Sequence, residues 1–149
     1  VEKLAKLLLD HNKLFMSIVT HELKKQNITI PQAIVIDTIK DEAKTIGDIS
    51  KAIDLSYSTV SGIIDRLERD GLVERYRNET DRRVVWVRLT ERCQDFHQTN
   101  PIVNPDFYRE MFLGMSKEEE EGIMASLSIL QVYFEQHTKS LNVRKGSES

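Results

Sequence analysis

Apolar residues recur along this chain in two periods, and the switches between them mark out its elements. From the N-terminus Leu4, Leu7, Leu8, Leu14, Phe15 and Ile18 fall at three- and four-residue steps, with His11 on the same stripe, which predicts an amphipathic helix. Near the other end Ser116 and Glu119 form an S-x-x-E capping box ahead of Ile123, Leu127, Leu130, Phe134 and Leu141, a second long helix. Between them three shorter helices are predicted. Thr29-Ile30-Pro31-Gln32 supplies a cap, an early proline and a capping glutamine for a helix running to about Lys40. Thr45 to Asp48 opens the next, with Ile46, Ile49 and Ile53 inward, and Ser56 caps a third that Gly71 ends in a left-handed turn. The period then changes to two. Leu72–Arg77 and Val84–Leu89 read as strands, with Val85, Val87 and Leu89 alternating against Val84, Trp86 and Arg88, so that Trp86 is expected on the outward face.

The third short helix, YSTVSGIIDRLERDG, carries the clearest signal. Val60, Ile63, Ile64 and Leu67 stand at i, i+3, i+4 and i+7, which buries one face and leaves Tyr57, Ser58, Thr59, Ser61, Gly62, Asp65 and Arg66 outside. Ser, Thr and Gly are mediocre helix formers, so their concentration here needs a reason. A helix pushed into the major groove needs low-profile side chains that let its backbone approach base edges. The bland alternative is that Ser58 and Thr59 assist the Ser56 cap and Gly62 relieves crowding against a neighbouring helix.

Helix, turn, helix and hairpin make a winged helix, which gives the charged turn RNETDRR a use. An arginine at its tip, Arg83, could enter the narrow minor groove while Asp81 fixes its guanidinium by a salt bridge. Arg77, Asn78 and Arg82 complete the candidate wing. The competing reading is a solvated turn whose ion pairs contribute about 0 to 1 kcal/mol. The composition fits one unit of 149 residues with net charge −3, unusual for a nucleic-acid binder until the charges are divided along the chain. Residues 93–149 hold 5 basic and 9 acidic side chains, whereas residues 57–92 hold 8 and 7, the 8 all being arginine, the residue suited to forked contacts with phosphates and base edges.

DLSYSTVSGIIDRLERDGLVERYRNETDRRVVWVRLT, residues 54–90, resembles the DNA-binding core of the MarR family of bacterial transcription regulators. Asp81 and Arg83 match its D-x-R wing pattern, and Val85, Val87, Leu89 and Thr90 the V-x-V-x-L-T that follows. The resemblance implies a mostly α (α+β) winged helix-turn-helix over residues 29–90. It further implies a homodimerisation region built from residues 1–28 and 91–142, including Leu4, Leu7, Leu8, His11, Leu127, Leu130 and Phe134, with a terminal tail at 143–149. Its implied partner is double-stranded DNA bearing a near-palindromic operator. Ser58, Thr59 and Ser61 then read the major groove, Arg83 goes to the minor groove, Asp65 lies near the winged unit, and a small effector of unnamed identity modulates binding.

The chain departs from the family after Thr90, where Glu91-Arg92-Cys93 replaces an acidic residue and a glycine, and Pro101 and Pro105 interrupt the helix that should follow. Asn104 as cap and Pro105 as first residue would restart it. Cys93 and His97 have a spacing that could present two metal ligands, although two do not make a site, so no metal or cofactor is expected. Phe15, Tyr108, Phe112, Tyr133 and Phe134 could line an effector pocket, and first of all read as core and dimer contacts. No glycine-rich phosphate loop, H-E-x-x-H or G-x-S-x-G occurs, so an enzyme is not expected. No apolar run approaches the roughly 18 residues of a membrane span. The N-terminal residues lack a signal-peptide pattern, and one cysteine suits a reducing compartment, so the expected location is the cytoplasm. The alternative function is a winged helix used as a protein-interaction module.

Overall fold

A computed structural model of the chain describes residues 1–94, 100 and 104–146. Its elements in order are α1 (Glu2–Lys24), α2 (Ile30–Thr38), β1 (Lys44–Thr45), α3 (Ile46–Ile53), α4 (Tyr57–Arg69), β2 (Val73–Arg77), β3 (Val85–Leu89), α5 (Pro105–Met111) and α6 (Lys117–Gly146). They divide into two compact units, Val1–Tyr108 and Arg109–Ser149.

The helices of the first unit start where side-chain oxygens replace missing backbone partners. Thr29 and Gln32 form the full capping box of α2: the Gln32 N–H donates to Thr29 Oγ1 (3.3 Å) and the Thr29 N–H to Gln32 Oε1 (2.9 Å). The Asp48 N–H donates to Thr45 Oγ1 (3.1 Å) and the Thr59 N–H to Ser56 Oγ (3.2 Å), capping α3 and α4. Their ends are equally defined. Gly71 takes φ +72°, and the Leu72 N–H returns to the Leu67 carbonyl (2.9 Å), a left-handed cap that turns the chain from α4 into β2. α2 stops at Thr38 instead of about Lys40, because the Ile39 N–H is already taken by the Ile36 and Asp37 carbonyls of a tightened last turn.

The core collects the inward faces of α2, α3 and α4 and the inner side of the hairpin. Val35, Ile36, Ile49, Val60, Ile64, Leu67, Val73 and Val87 are fully buried, and Val19 and Leu23 bring the end of α1 into the same cluster. Val60, Ile63, Ile64 and Leu67 are the four buried residues of α4, the face their spacing predicted. At about 1.5 to 3 kcal/mol per fully buried large aliphatic side chain, this stripe outweighs the weak intrinsic helix propensity of the serines and glycine on the other side.

The sheet has three strands in the order β1-β3-β2, all antiparallel. β1, only two residues long, was not predicted: it pairs Lys44 with Val87 and Thr45 with Trp86. The hairpin strands each begin one residue later than expected, at Val73 and Val85. Trp86 lies between Thr45 and Tyr76 in the register and is half-buried, not outward and open as its alternation implied.

Asn104 and Pro105 do restart a helix: the Asp106 N–H donates to Asn104 Oδ1 (2.9 Å) and α5 begins at Pro105. The expected interruption at Pro101 and residue His97 lie outside the described residues. In the second unit Ser116 and Glu119 close the expected capping box, with the Ser116 N–H on Glu119 Oε2 (2.9 Å) and the Glu119 N–H on Ser116 Oγ (3.2 Å). That hydrogen bond from the Ser116 backbone lowers the Glu119 pKa. α6 continues to Gly146, past position 143 where the sequence reading begins a tail. Among the described residues no helix is long and apolar enough to cross a membrane.

Candidate nucleic-acid interface

α4 presents its N-terminal half to solvent. Tyr57, Ser58, Thr59, Asp65 and Arg66 are exposed, as the helical phase requires; Ser61 and Gly62 are half-buried, flanking the inward stripe more closely than expected. The hydroxyls of Ser56, Ser58 and Thr59 form one cluster, with Ser56 Oγ 2.7 Å from Thr59 Oγ1 and 3.2 Å from Ser58 Oγ. Ser58 and Thr59 therefore do assist the cap. Gly62 does not relieve crowding within the chain, since a Cβ built there meets nothing within 4 Å.

The wing is held by its own backbone. Arg77 Nη1 donates to the Arg82 carbonyl (2.6 Å), tying the end of β2 across the turn. The Thr80 N–H points to Asn78 Oδ1 (3.4 Å), and the Arg83 N–H donates to Asp81 Oδ1 (3.0 Å). Asp81 thus fixes the backbone of Arg83 in an aspartate turn and does not form the expected salt bridge to its guanidinium. The reason is local: an aspartate side chain is short enough to reach an amide two residues on. Residues 77–83 are all exposed, and neither Arg82 nor Arg83 has an ion-pair partner among the described residues.

Wing and helix are joined by Arg75, whose role sequence reasoning missed. Its Nη2 donates to Asp65 Oδ1 (2.6 Å), its Nη1 to Glu68 Oε2 (2.5 Å), and its backbone N–H to Glu68 Oε1 (3.3 Å). Partial burial opposes the charge of Arg75, but its hydrogen bonds to the Asp65 and Glu68 carboxylates outweigh it and raise the guanidinium pKa. The signal was present in the sequence: Asp65 and Glu68 stand at i and i+3, one side of α4, and the strand arginine follows one tight turn later. Arg88 is likewise occupied, its Nε on Glu74 Oε1 (2.6 Å) and its guanidinium 4.6 Å from the Tyr76 ring centroid. The arginine concentration of residues 57–92 therefore splits into a structural group, Arg75, Arg77 and Arg88, and an outward group that includes Arg66, Arg82 and Arg83.

The remaining candidates fall elsewhere. Cys93 is completely buried, and burial pushes its thiol up to about 11 from an ordinary 9.0, making it a poor thiolate. It sits behind Thr90, which donates through Oγ1 to the Gly71 carbonyl (2.7 Å) and so ties the end of β3 to the α4–β2 corner. Among the described residues no group of three or more His, Cys, Asp or Glu could hold a metal ion. Leu4, Leu7 and His11 on α1 are exposed and Leu8 half-buried; on α6 Leu127 and Phe134 are exposed and Leu130 half-buried. The His11 imidazole Nδ1 lies 2.8 Å from the Leu7 carbonyl. Phe15 stacks on Tyr108 with centroids 6.5 Å apart.

Three packed helices, α2, α3 and α4, followed by an antiparallel hairpin that Arg75 ties to α4, define a winged helix-turn-helix protein. The sequence profile of the MarR family matches residues 26–84. The HTH-type transcriptional regulator YsmB of Bacillus subtilis is 32% identical over 110 residues, 73% of this chain and 75% of that protein. YwhA of the same organism, another HTH-type transcriptional regulator, is 28% identical over 82% of this chain and 99% of that protein. FabT of Streptococcus pneumoniae, solved in complex with DNA, superposes with a TM-score of 0.77 at 27% identity, covering 91% of this chain and 97% of that one. The chain belongs to the MarR family.

Proposed function

We propose that the protein is a dimeric, sequence-specific transcription regulator that inserts α4 into the major groove and its wing into the adjacent minor groove. Tyr57, Ser58, Thr59, Ser61, Gly62, Asp65 and Arg66 form the major-groove face; Arg77, Asn78, Asp81, Arg82 and Arg83 build the wing, with Arg83 as the minor-groove residue. One observation carries this reading: a hydroxyl-lined helix start and a turn with two arginines that have no ion-pair partner among the described residues share one unit, in which Arg75 ties the hairpin to the helix. The FabT complex with DNA supports it from a relative of the same fold.

The exposed apolar residues of α1 and α6 support a homodimer, because monomeric proteins rarely leave such continuous stripes in water. Two copies then address the half-sites of a near-palindromic operator about 10 base pairs apart, one helical turn. A small effector acts, in this reading, next to the aromatic contact of Phe15 with Tyr108.

Binding to duplex DNA measured from 50 to 200 mM salt tests the proposal. A dimer neutralising about eight phosphates gives a log-log slope near −7, whereas a protein-interaction module gives only a weak salt dependence.

A further inference from the structure

α4 carries one side chain on its leading edge that the fold does not use. Tyr57, the first residue of the helix, is 60% exposed and makes no hydrogen bond or ring contact among the described residues. Around it the outward positions are short: Ser58 and Thr59 beside it, Ser61 one turn on and Gly62 next to that. Where neighbours are that short, a phenol ring projects beyond them by most of its length. At the far end of the strip Tyr57–Ser61–Asp65, the Asp65 carboxylate is drawn to Arg75 and away from any external partner. The hydroxyls of Ser58 and Thr59 are each hydrogen-bonded to that of Ser56. Leu55, just before the cap and 39% exposed, adds a second apolar group to the same edge.

Resting on the DNA-binding reading above, we infer that Tyr57 is the principal specificity residue of α4 and that it selects thymine by packing its ring against the 5-methyl group. The major-groove edge of thymine is distinguished from cytosine by a carbonyl and a methyl, and an aromatic edge can read only the methyl. Of the polar neighbours the serines have no methyl to offer, and Thr59, whose hydroxyl is held by Ser56, reaches far less beyond the helix than the phenol ring. The phenol oxygen is not needed for this contact.

The test uses the full-length protein with duplexes selected from a random library. The expected consensus contains a thymine in each half-site whose replacement by uracil, which removes the methyl alone, weakens binding by about four-fold, the worth of one buried methyl. Replacing both weakens it by about fifteen-fold. Tyr57→Phe keeps that sensitivity, and Tyr57→Ala, compared on the same duplexes, binds the thymine and uracil forms equally. A selected duplex bound tightly whose affinity is indifferent to every thymine-to-uracil change, or a Tyr57→Ala protein as methyl-sensitive as the wild type, overturns the assignment and leaves DNA binding intact. A selection that enriches no duplex at all overturns the DNA-binding reading itself, and this inference with it.

Discussion

The Arg75 guanidinium donates to the Asp65 carboxylate across 2.6 Å, and this contact couples strand β2 to the exposed side of α4. Because Glu68 takes another nitrogen of the same group, rotating the hairpin against the helix strains two charge-assisted hydrogen bonds at once. Both carboxylates are well exposed, so the pair contributes orientation more than stability. A double-mutant cycle of Asp65→Asn with Arg75→Met is expected to give a coupling of about 0.5 to 1 kcal/mol in denaturant unfolding. Each single variant should bind DNA less tightly than its small loss of stability explains; unchanged DNA affinity in both would show that the brace is irrelevant to the interface.

Gly62 separates stability from function. With nothing within 4 Å of an added Cβ and a helical backbone, Gly62→Ala should stabilise the isolated protein by up to about 1 kcal/mol. The same methyl stands on the face proposed to approach DNA, so affinity should fall several-fold. Thermal unfolding and a binding isotherm on one preparation check both halves. A variant more stable and equally tight would place the glycine outside the contact.

Much of this architecture was legible in the sequence because it rests on local chemistry. Thr29, Thr45 and Ser56 cap as their side chains dictate, Gly71 adopts the left-handed backbone that turns α4 into β2, and the buried stripe of α4 follows from its spacing. What escaped was tertiary. β1 has two residues and no alternation to detect, and exists because β3 offers it an edge. Arg75 and Arg88 were counted among the arginines suited to DNA, but pairing with α4 and across the sheet occupies them; the carboxylate spacing on α4 hints at the first, whereas the register that sets Glu74 opposite Arg88 is a tertiary fact. Asp81 was expected on the Arg83 guanidinium and found the nearer amide instead.

Cys93 should behave as a core residue. Alkylation by iodoacetamide at pH 8 is expected to be slower in the native protein than in the unfolded chain by at least about ten-fold. Its thiol is raised in the folded state, so the stability it contributes is complete below 9.0 and is lost as pH rises through about 11. Wild type should therefore lose stability over that window relative to Cys93→Ala, by an amount on the order of 2 kcal/mol. Parallel curves for the two proteins would contradict the burial.

The apolar stripes of α1 and α6 call for a second copy. Sedimentation at micromolar concentration should show a dimer for the wild type, and Leu7→Glu or Leu127→Glu should shift it toward monomer with the circular dichroism of unit Val1–Tyr108 features retained. A wild type that sediments as a monomer and still binds an operator tightly would remove dimerisation from the mechanism.

The joint use of α4 and the wing is tested most directly by hydroxyl-radical footprinting on a selected duplex, comparing wild type with Arg83→Ala. The expected pattern is two protected blocks centred about 10 base pairs apart, each extended by a protected minor-groove flank, and Arg83→Ala should lose the flanks while keeping the blocks. Flanks that persist in Arg83→Ala, or a single block where two half-sites are required, would contradict it.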